Sequence, residues 1–596
     1  MTSTSPVGYR RDIDGLRAWA VLAVVVYHAF PTALRGGFVG VDVFFVISGY
    51  LITRLLYQSL ERGDFSLMDF YARRVRRIFP ALLLMLLACL VFGWFGLHDD
   101  EYAQLGKHVL GGVGFVANLV LWNESGYFDN SANTKPLLHL WSLGIEEQFY
   151  LVWPWMMAWT WRRGGSLLGM TLGLLTLSLA FNLYLSRQNQ VADFYSPLTR
   201  VWELSVGSGL AFLAVGGVLV PARLSRFVRM GLSGAGWGLL VASVVLINEG
   251  RSFPGAWALL PVLGAAGVIA AGPDALLNHW LLTNRLAVGL GLISYPLYLW
   301  HWPLLAFGVV VDGQTPDRRY RLMAVLVSVV LAWLTYRYVE SPLRRQPARG
   351  VMLPLLAGAV LLGLAGGVVM LGHGLPERTA VRDSGLTPEV RHEFMGSLWP
   401  YTRNERCLSE YPYPEAEHLA WWFCMKSDDR PPTLIILGTS HANSHYPGFA
   451  RSPDLRHHTV LSIGTCDFVV MPANYSGDPH NPCYGDRAQK QQVFIDGLIA
   501  RNPSIRFAVI DGLPSHPSAA YIDALDQRIT ALETKGIRVM VMVPHIMAGF
   551  HPKACYSTPF KKQPRDCRLP PKAREARLTA FRPAMDALAI THPDLR

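Results

Sequence analysis

Apolar stretches of about 20 residues, the length that crosses a bilayer as a helix, recur through the first 372 residues of this 596-residue chain. They predict spans near 13–31, 37–57, 78–97, 140–161, 166–185, 199–220, 230–248, 256–272, 286–310, 321–340 and 351–372, eleven in all. The run 105–122 is also apolar, but Asn118 and four glycines interrupt it. Counting it as a crossing would put Arg162 and Arg163 on the wrong side. Apolar residues make up 51% of the chain and charged residues 16%, well below the ~25% charge of a soluble domain. That composition excludes a disordered chain, a coiled coil and an ordinary cytosolic enzyme.

The net charge of +11 does not point to nucleic acid. Most of the basic residues in this half are arginines in short clusters between apolar runs, as in positive-inside loops. Arg10/Arg11, Arg73/Arg74/Arg76/Arg77, Arg162/Arg163, Arg223/Arg226/Arg229 and Arg344/Arg345/Arg349 fall on one side, the cytoplasm. Arg318, Arg319 and Arg321 are the exception on the far side. Eleven spans that start inside leave the C-terminal half outside.

The cysteines agree with that orientation. Of the seven, Cys89 lies in an apolar run and the other six lie beyond residue 400. Six cysteines in one polar segment suggest disulfides in an oxidising compartment. Pairing of neighbours (407–424, 466–483, 555–567) is the simplest arrangement. Zinc is disfavoured because no CxxC pair occurs. The first apolar run carries Arg17 and His28 and lacks a small-x-small cleavage site, so it does not read as a cleaved signal peptide.

Residues 373–430 are polar and rich in proline, which predicts a periplasmic linker. From 431 the period changes. Strand-like runs at 433–437, 458–463, 506–511 and 537–543 alternate with helical stretches such as 487–500 and 518–534, the pattern of an α/β layered domain.

Ionisable residues inside a span are costly, and by default they are functional candidates. Eleven helical steps from Arg17 to His28 return to within about 20° of the same face and rise about 16 Å. His139, Ser142 and Glu146 share a face by their i, i+3, i+7 spacing. Asp42, Ser48, Arg200, Glu203 and His301 also fall inside spans. The topology puts His28, His139, Glu146 and His301 toward the outer side, which suggests a polar cavity in the bundle. Proton transfer in such a cavity needs a base, and histidine is the usual one near neutral pH; His28 is the candidate. Arg17 at the other end suits a phosphate or a carbonyl. The Arg73–Arg77 cluster either does the same or serves only as an orientation signal.

Arg17-x10-His28, Gly36-Gly-Phe-Val-Gly-Val-Asp-Val-Phe-Phe-Val-Ile-Ser-Gly-Tyr50, Arg73-Arg-Val-Arg-Arg-Ile-Phe-Pro80, His139-Leu-Trp-Ser-Leu-Gly-Ile-Glu-Glu-Gln-Phe-Tyr150 and Tyr298-Leu-Trp-His301 resemble the membrane-bound acyltransferase type 3 family over residues 8–345. Residues 346–372 add one transmembrane helix. The resemblance implies a bacterial inner-membrane enzyme with a cytoplasmic N-terminus and a periplasmic C-terminal domain. It would move an acyl group, usually acetyl, from a cytoplasmic acyl-CoA to a periplasmic polysaccharide. Lipopolysaccharide O-antigen is the first acceptor it suggests, with peptidoglycan as the alternative. Arg17 and His28 would be the essential pair, and Glu146, His139, His301, Arg73 and Arg77 would contact substrates. No permanently bound cofactor, metal or nucleic acid is expected.

In the polar half, Gly438-Thr-Ser-His441 follows the first strand. A serine on a tight strand-to-helix turn is a nucleophile position. Fused behind such a membrane half, the segment 431–596 looks like an SGNH-type domain. Ser440 would be its nucleophile, and Gly464 would donate an oxyanion N–H. Thr439 replaces the usual aspartate. The Asp-x-x-His that normally ends the pattern is not found near residue 596, and Asp454-x-x-His457 comes too early to replace it. The expected fold is therefore a polytopic α-helical membrane domain of about eleven spans, then an α/β SGNH-like three-layer domain lacking its C-terminal end and with little esterase activity of its own. Two other readings are a glycan esterase on a membrane anchor, and a glycan transporter or flippase.

Overall fold

A computed structural model describes residues 9–125, 131–219, 221–385, 403–416, 422–469, 482–514, 516–544, 550, 552–557, 560, 566–568 and 571–596. Parts of the expected linker (386–402 and 417–421) and residue 220 lie outside these. The chain divides into a helical unit, Met1–Leu386 with Lys553–Arg565, and an α/β unit, Thr387–Pro552 with Asp566–Arg596.

In the helical unit, seven helices among the described residues are long and apolar enough to cross a membrane. They are Gly37–Arg62, Leu67–Gly96, Leu167–Gln188, Pro197–Val215, Arg226–Leu246, Arg318–Arg345 and Gly350–Leu371. The bent pair Gly255–Ala271 and Leu276–Leu282, broken by 101°, makes an eighth if it counts as one span. The three remaining expected spans are helical too, as Arg11–Ala29, Leu140–Arg162 and Ser294–Asp312. They fall short in apolarity because they carry the polar residues of the interior. His28 and His301 lie on two of them, and His139 opens the third. The run 105–122 forms two helices, Asp99–Val113 and Ala117–Glu124, broken near Phe115 with φ of 54°. Neither reaches the ~30 Å of a hydrocarbon core.

Glycines set the closest helix contacts. A Cβ on Gly49 would lie 1.9 Å from the Leu204 carbonyl oxygen, and one on Gly207 would lie 2.0 Å from that of Val46. Gly291 approaches the Asp14 carbonyl in the same way, at 1.9 Å. Backbones this close are the small-residue packing of membrane helices. It brings Gly40–Arg62 and Pro197–Val215 together, so that Arg200 meets Asp42.

The α/β unit is built on five strands: β1 (Cys424–Lys426), β2 (Leu434–Gly438), β3 (Val460–Ile463), β4 (Phe507–Asp511) and β5 (Arg538–Val541). Their order is β1-β3-β2-β4-β5. All neighbours are parallel except β1, which is antiparallel to β3. Alternation along β2 sorts the two faces. Ile435 and Leu437 join one core, with Leu498, Leu525 and Phe581 from covering helices, while Leu434 and Ile436 join another, with Ala442 and Tyr446. Both faces are covered, which gives three layers. The helix Pro571–Thr591 follows β5.

One boundary moves. Residues 403–430, expected as linker, supply the edge strand β1 and the helix Glu405–Glu410, which the disulfide Cys407–Cys424 joins. Cys466–Cys483 is the second disulfide among the described pairs, and Cys555 and Cys567 are also disulfide-bonded. Cys89 is free and buried.

Candidate active site

The helix Arg11–Ala29 presents its two singled-out residues to two different cavities. Arg17 lines one of about 450 Å³ and His28 lines another of about 550 Å³. Both cavities are walled by Val41 and Tyr298.

The first cavity is basic. Arg10, Arg17, Arg54, Arg74, Arg77 and Arg344 line it, against the carboxylates of Asp14, Glu146, Glu147 and Glu340. Arg17 keeps an ion pair of 3.6 Å with Asp14. Glu146 accepts hydrogen bonds from the Ser48 and Tyr150 hydroxyls. Glu340 closes a π-helical stretch, Thr335–Glu340, a distortion that recurs at functional sites.

The second cavity is aromatic, lined by Tyr27, Phe38, Trp141, Phe194, Tyr195, Phe253 and Trp302, with His28 and His139 at its floor. Asp42 and Arg200 reach its wall. Arg200 is wholly buried, with Nη2 at 2.6 Å from Asp42 Oδ1 and Nε at 2.7 Å from Glu203 Oε1. Four rings, of Phe45, Trp141, Phe194 and Phe253, surround its guanidinium within 5.9 Å.

Between the cavities lies a layer of imidazoles and hydroxyls. His28 Nδ1 lies 2.9 Å from His301 Nε2. The His139 ring is 5.9 Å from that of His301 and 5.4 Å from that of Tyr298. The Tyr298 hydroxyl lies 2.7 Å from Ser142 Oγ and donates to the His139 carbonyl at 3.0 Å. Both His139 ring nitrogens are buried without a hydrogen-bond partner among the described residues.

Four expected placements change. Arg73 is exposed, and Arg74 takes its place in the basic cavity. Positions 74, 77 and 78 form one stripe, and position 73 lies roughly 100° round the helix from 74. Glu146 belongs to the basic cavity, because it is two turns along its helix from His139. His301 is fully buried behind His28 and lines neither cavity. Gly464 cannot serve an oxyanion, because its N–H already donates to the Phe423 carbonyl at 3.0 Å. Tyr298, which lines both cavities, is a site residue that periodicity does not single out; it stands one turn before His301 in the same motif.

In the α/β unit, β2 ends at Gly438, whose φ of 134° lets its backbone pass the Asp511 carbonyl. Ser440 then opens the helix Ser440–Ser444, with Thr439 as the cap that accepts from the His441 N–H. One turn later His445 Nε2 lies 3.0 Å from Asp511 Oδ2, at the C-terminal end of β4. The hydrogen bond that His445 donates to Asp511 raises the His445 pKa. Burial alone would raise the Asp511 carboxyl, but its hydrogen bonds from His445 and from the Gly512 N–H hold it below the usual range. Asp454 and His457 are exposed in the loop before β3. His592 is buried against Glu533 (2.6 Å) and Asp526 (3.0 Å).

A family model described as an acyltransferase domain matches residues 10–337. A second, described as an SGNH domain fused to acyltransferase type 3 domains, matches residues 406–596. The chain is similar to the peptidoglycan O-acetyltransferase OatA of Listeria monocytogenes, with 31% identity over 350 residues, covering 56% of each chain. It is 32% identical over 356 residues to the putative peptidoglycan O-acetyltransferase YrhL of Bacillus subtilis, covering 57% of this chain and 56% of that protein. The O-acetyltransferase OatA of Staphylococcus aureus is 30% identical over 359 residues, 57% of this chain and 58% of that one. The chain thus spans about half the length of the curated relatives it matches. No solved structure matches it.

Proposed function

We propose, for a chain that belongs to the acyltransferase type 3 family and continues into an SGNH domain, that it carries an acetyl or related acyl group from a cytoplasmic acyl-CoA to a hydroxyl of a cell-envelope glycan. Peptidoglycan, rather than lipopolysaccharide O-antigen, is the acceptor class, because the relatives named for a substrate are named for peptidoglycan. The observation that carries the reading is the pair of unlike cavities separated by the His28–His301–His139 layer.

In this reading the basic cavity faces the cytoplasm and the aromatic cavity the periplasm, which the positive-inside rule supports through the arginine clusters. All eleven helical segments then cross the membrane, including the three polar ones. Guanidinium groups suit the phosphates of a CoA donor, and Arg17, Arg74 and Arg77 are its anchors. The pantetheine arm runs up toward the histidines and brings the thioester to the layer. Aromatic walls suit the faces of sugar rings on the other side.

At the layer, His28 takes the proton of the attacking hydroxyl. The oxygen bonds to the acyl carbon, the carbon–sulfur bond breaks, and the proton passes to the CoA thiolate. His139, buried with open ring nitrogens, hydrogen-bonds a polar atom of the reacting groups.

Mass spectrometry of envelope glycans from cells with and without the gene tests the reading. Loss of O-acetyl groups from peptidoglycan is the expected result. An unchanged pattern removes it, and a loss confined to lipopolysaccharide replaces the acceptor class.

A further inference from the structure

We propose that His301 is a positioning residue: it fixes the ring proton of His28 on Nδ1 and leaves Nε2 as the basic nitrogen. The proposal rests on the reading of His28 as the base, and adds which nitrogen acts and what sets it.

A backbone carbonyl only accepts hydrogen bonds. His301 Nδ1 lies 3.1 Å from the Leu297 carbonyl oxygen, so that nitrogen carries a hydrogen. In a neutral imidazole the other nitrogen then holds the lone pair. That nitrogen, Nε2, is 2.9 Å from His28 Nδ1. His28 must therefore donate from Nδ1, which leaves its Nε2 with a free lone pair. His28 is the ring of the two that faces the aromatic cavity, while His301 is fully buried. The two rings are held nearly parallel, 9° apart, and Trp302 packs on His28 with ring centroids 4.5 Å apart.

The arrangement parallels an acid–base triad, with a neutral histidine and a carbonyl in place of the carboxylate. A histidine's working tautomer is set by the hydrogen bond that its other nitrogen makes. In Ser-His-Asp sites, changing the partner so that the wrong tautomer is held lowers kcat by about 10⁴. Here the acceptor is uncharged, so a loss of roughly 10²-fold is expected, within the usual span of acid–base contributions. Because His301 touches neither cavity, the loss falls on kcat and leaves KM in place.

The test compares two amides of similar polarity in the full-length enzyme, with acetyl-CoA as donor and purified peptidoglycan as acceptor. In His301→Gln the side-chain oxygen reaches the place of Nε2 and restores an acceptor for His28. In His301→Asn it stops near the place of Nδ1. Gln is expected to keep kcat within about tenfold of wild type and Asn to lose about 10²-fold, with KM unchanged in both. Nitrogen-15 NMR of the histidine-labelled wild-type protein is expected to show His28 protonated at Nδ1, a readout that needs no folded variant. Equal activity of the two variants, a loss carried by KM, or a His28 protonated at Nε2 overturns the proposal. Full activity of His28→Ala instead overturns the reading beneath it, and is recognised separately.

Discussion

Arg200 holds a charge where water does not reach, and two carboxylates and four aromatic rings surround it. Removing one partner of a buried ion pair costs about 3–5 kcal/mol, because the other charge stays buried and uncompensated. Arg200→Leu should therefore lower the thermal midpoint of the detergent-solubilised protein sharply, and an unchanged midpoint would show that Asp42 and Glu203 are neutral. Arg17→Ala and His28→Ala should behave in the opposite way. Each should abolish acyl transfer while membrane levels stay normal, as judged by activity beside immunoblotting; near-normal product would reduce them to packing roles. The His445–Asp511 pair gives a pH prediction. His445 is raised, so its contribution is complete below about pH 6.5 and is lost as pH rises through its folded value. Asp511 is lowered, so its contribution is complete above about pH 3.8 and is lost as pH falls through its folded value. The bridge is thus strongest between those limits. In Asp511→Asn, modification of His445 by diethyl pyrocarbonate should persist to lower pH than in wild type. An identical profile would mean that the carboxylate does not hold the ring. At this scale helical periodicity alone singles out Arg17 and His28 as candidates, and each lines a cavity. The sequence could not separate Arg73 from Arg74, or show that the Gly464 N–H was taken, since both depend on which neighbour packs against that face.

Helix contacts in the membrane unit rest on glycine at positions where a side chain meets backbone. Gly49 and Gly207 approach the facing carbonyls so closely that neither tolerates a Cβ without parting the helices. Gly207→Leu should part Pro197–Val215 from Gly40–Arg62 and so lower the yield of monodisperse protein in size-exclusion chromatography. A monodisperse, stable variant would contradict the close packing. The disulfides lend themselves to an equally direct count. Denatured without reduction, the protein should offer a single thiol, Cys89, to a maleimide reagent; more than one labelled cysteine per chain would unmake the pairing. The longer strands were legible to within a residue or two, because buried parallel strands read as short apolar runs. β1 escaped, since three residues carry no readable period and it lies in a polar stretch. Three helices read as apolar spans, Arg11–Ala29, Leu140–Arg162 and Ser294–Asp312, prove less apolar than the rest, because they carry polar residues of the site.

Across the whole molecule, a basic cavity and an aromatic one meet at a layer of three imidazoles. The sequence anticipated a polar interior and a separate α/β domain. It did not anticipate that the interior is split, because the split depends on Tyr298, Ser142 and the histidines meeting from different helices. The split also gives the proposed chemistry a direction, with donor on one side and acceptor on the other. Proteoliposomes containing the full-length enzyme, with labelled acetyl-CoA sealed inside and purified peptidoglycan outside, test that direction most directly. The account predicts label in the peptidoglycan from sealed vesicles carrying wild-type enzyme, and none with His28→Ala. Transfer that occurs only when donor and peptidoglycan share one side of the membrane would contradict it.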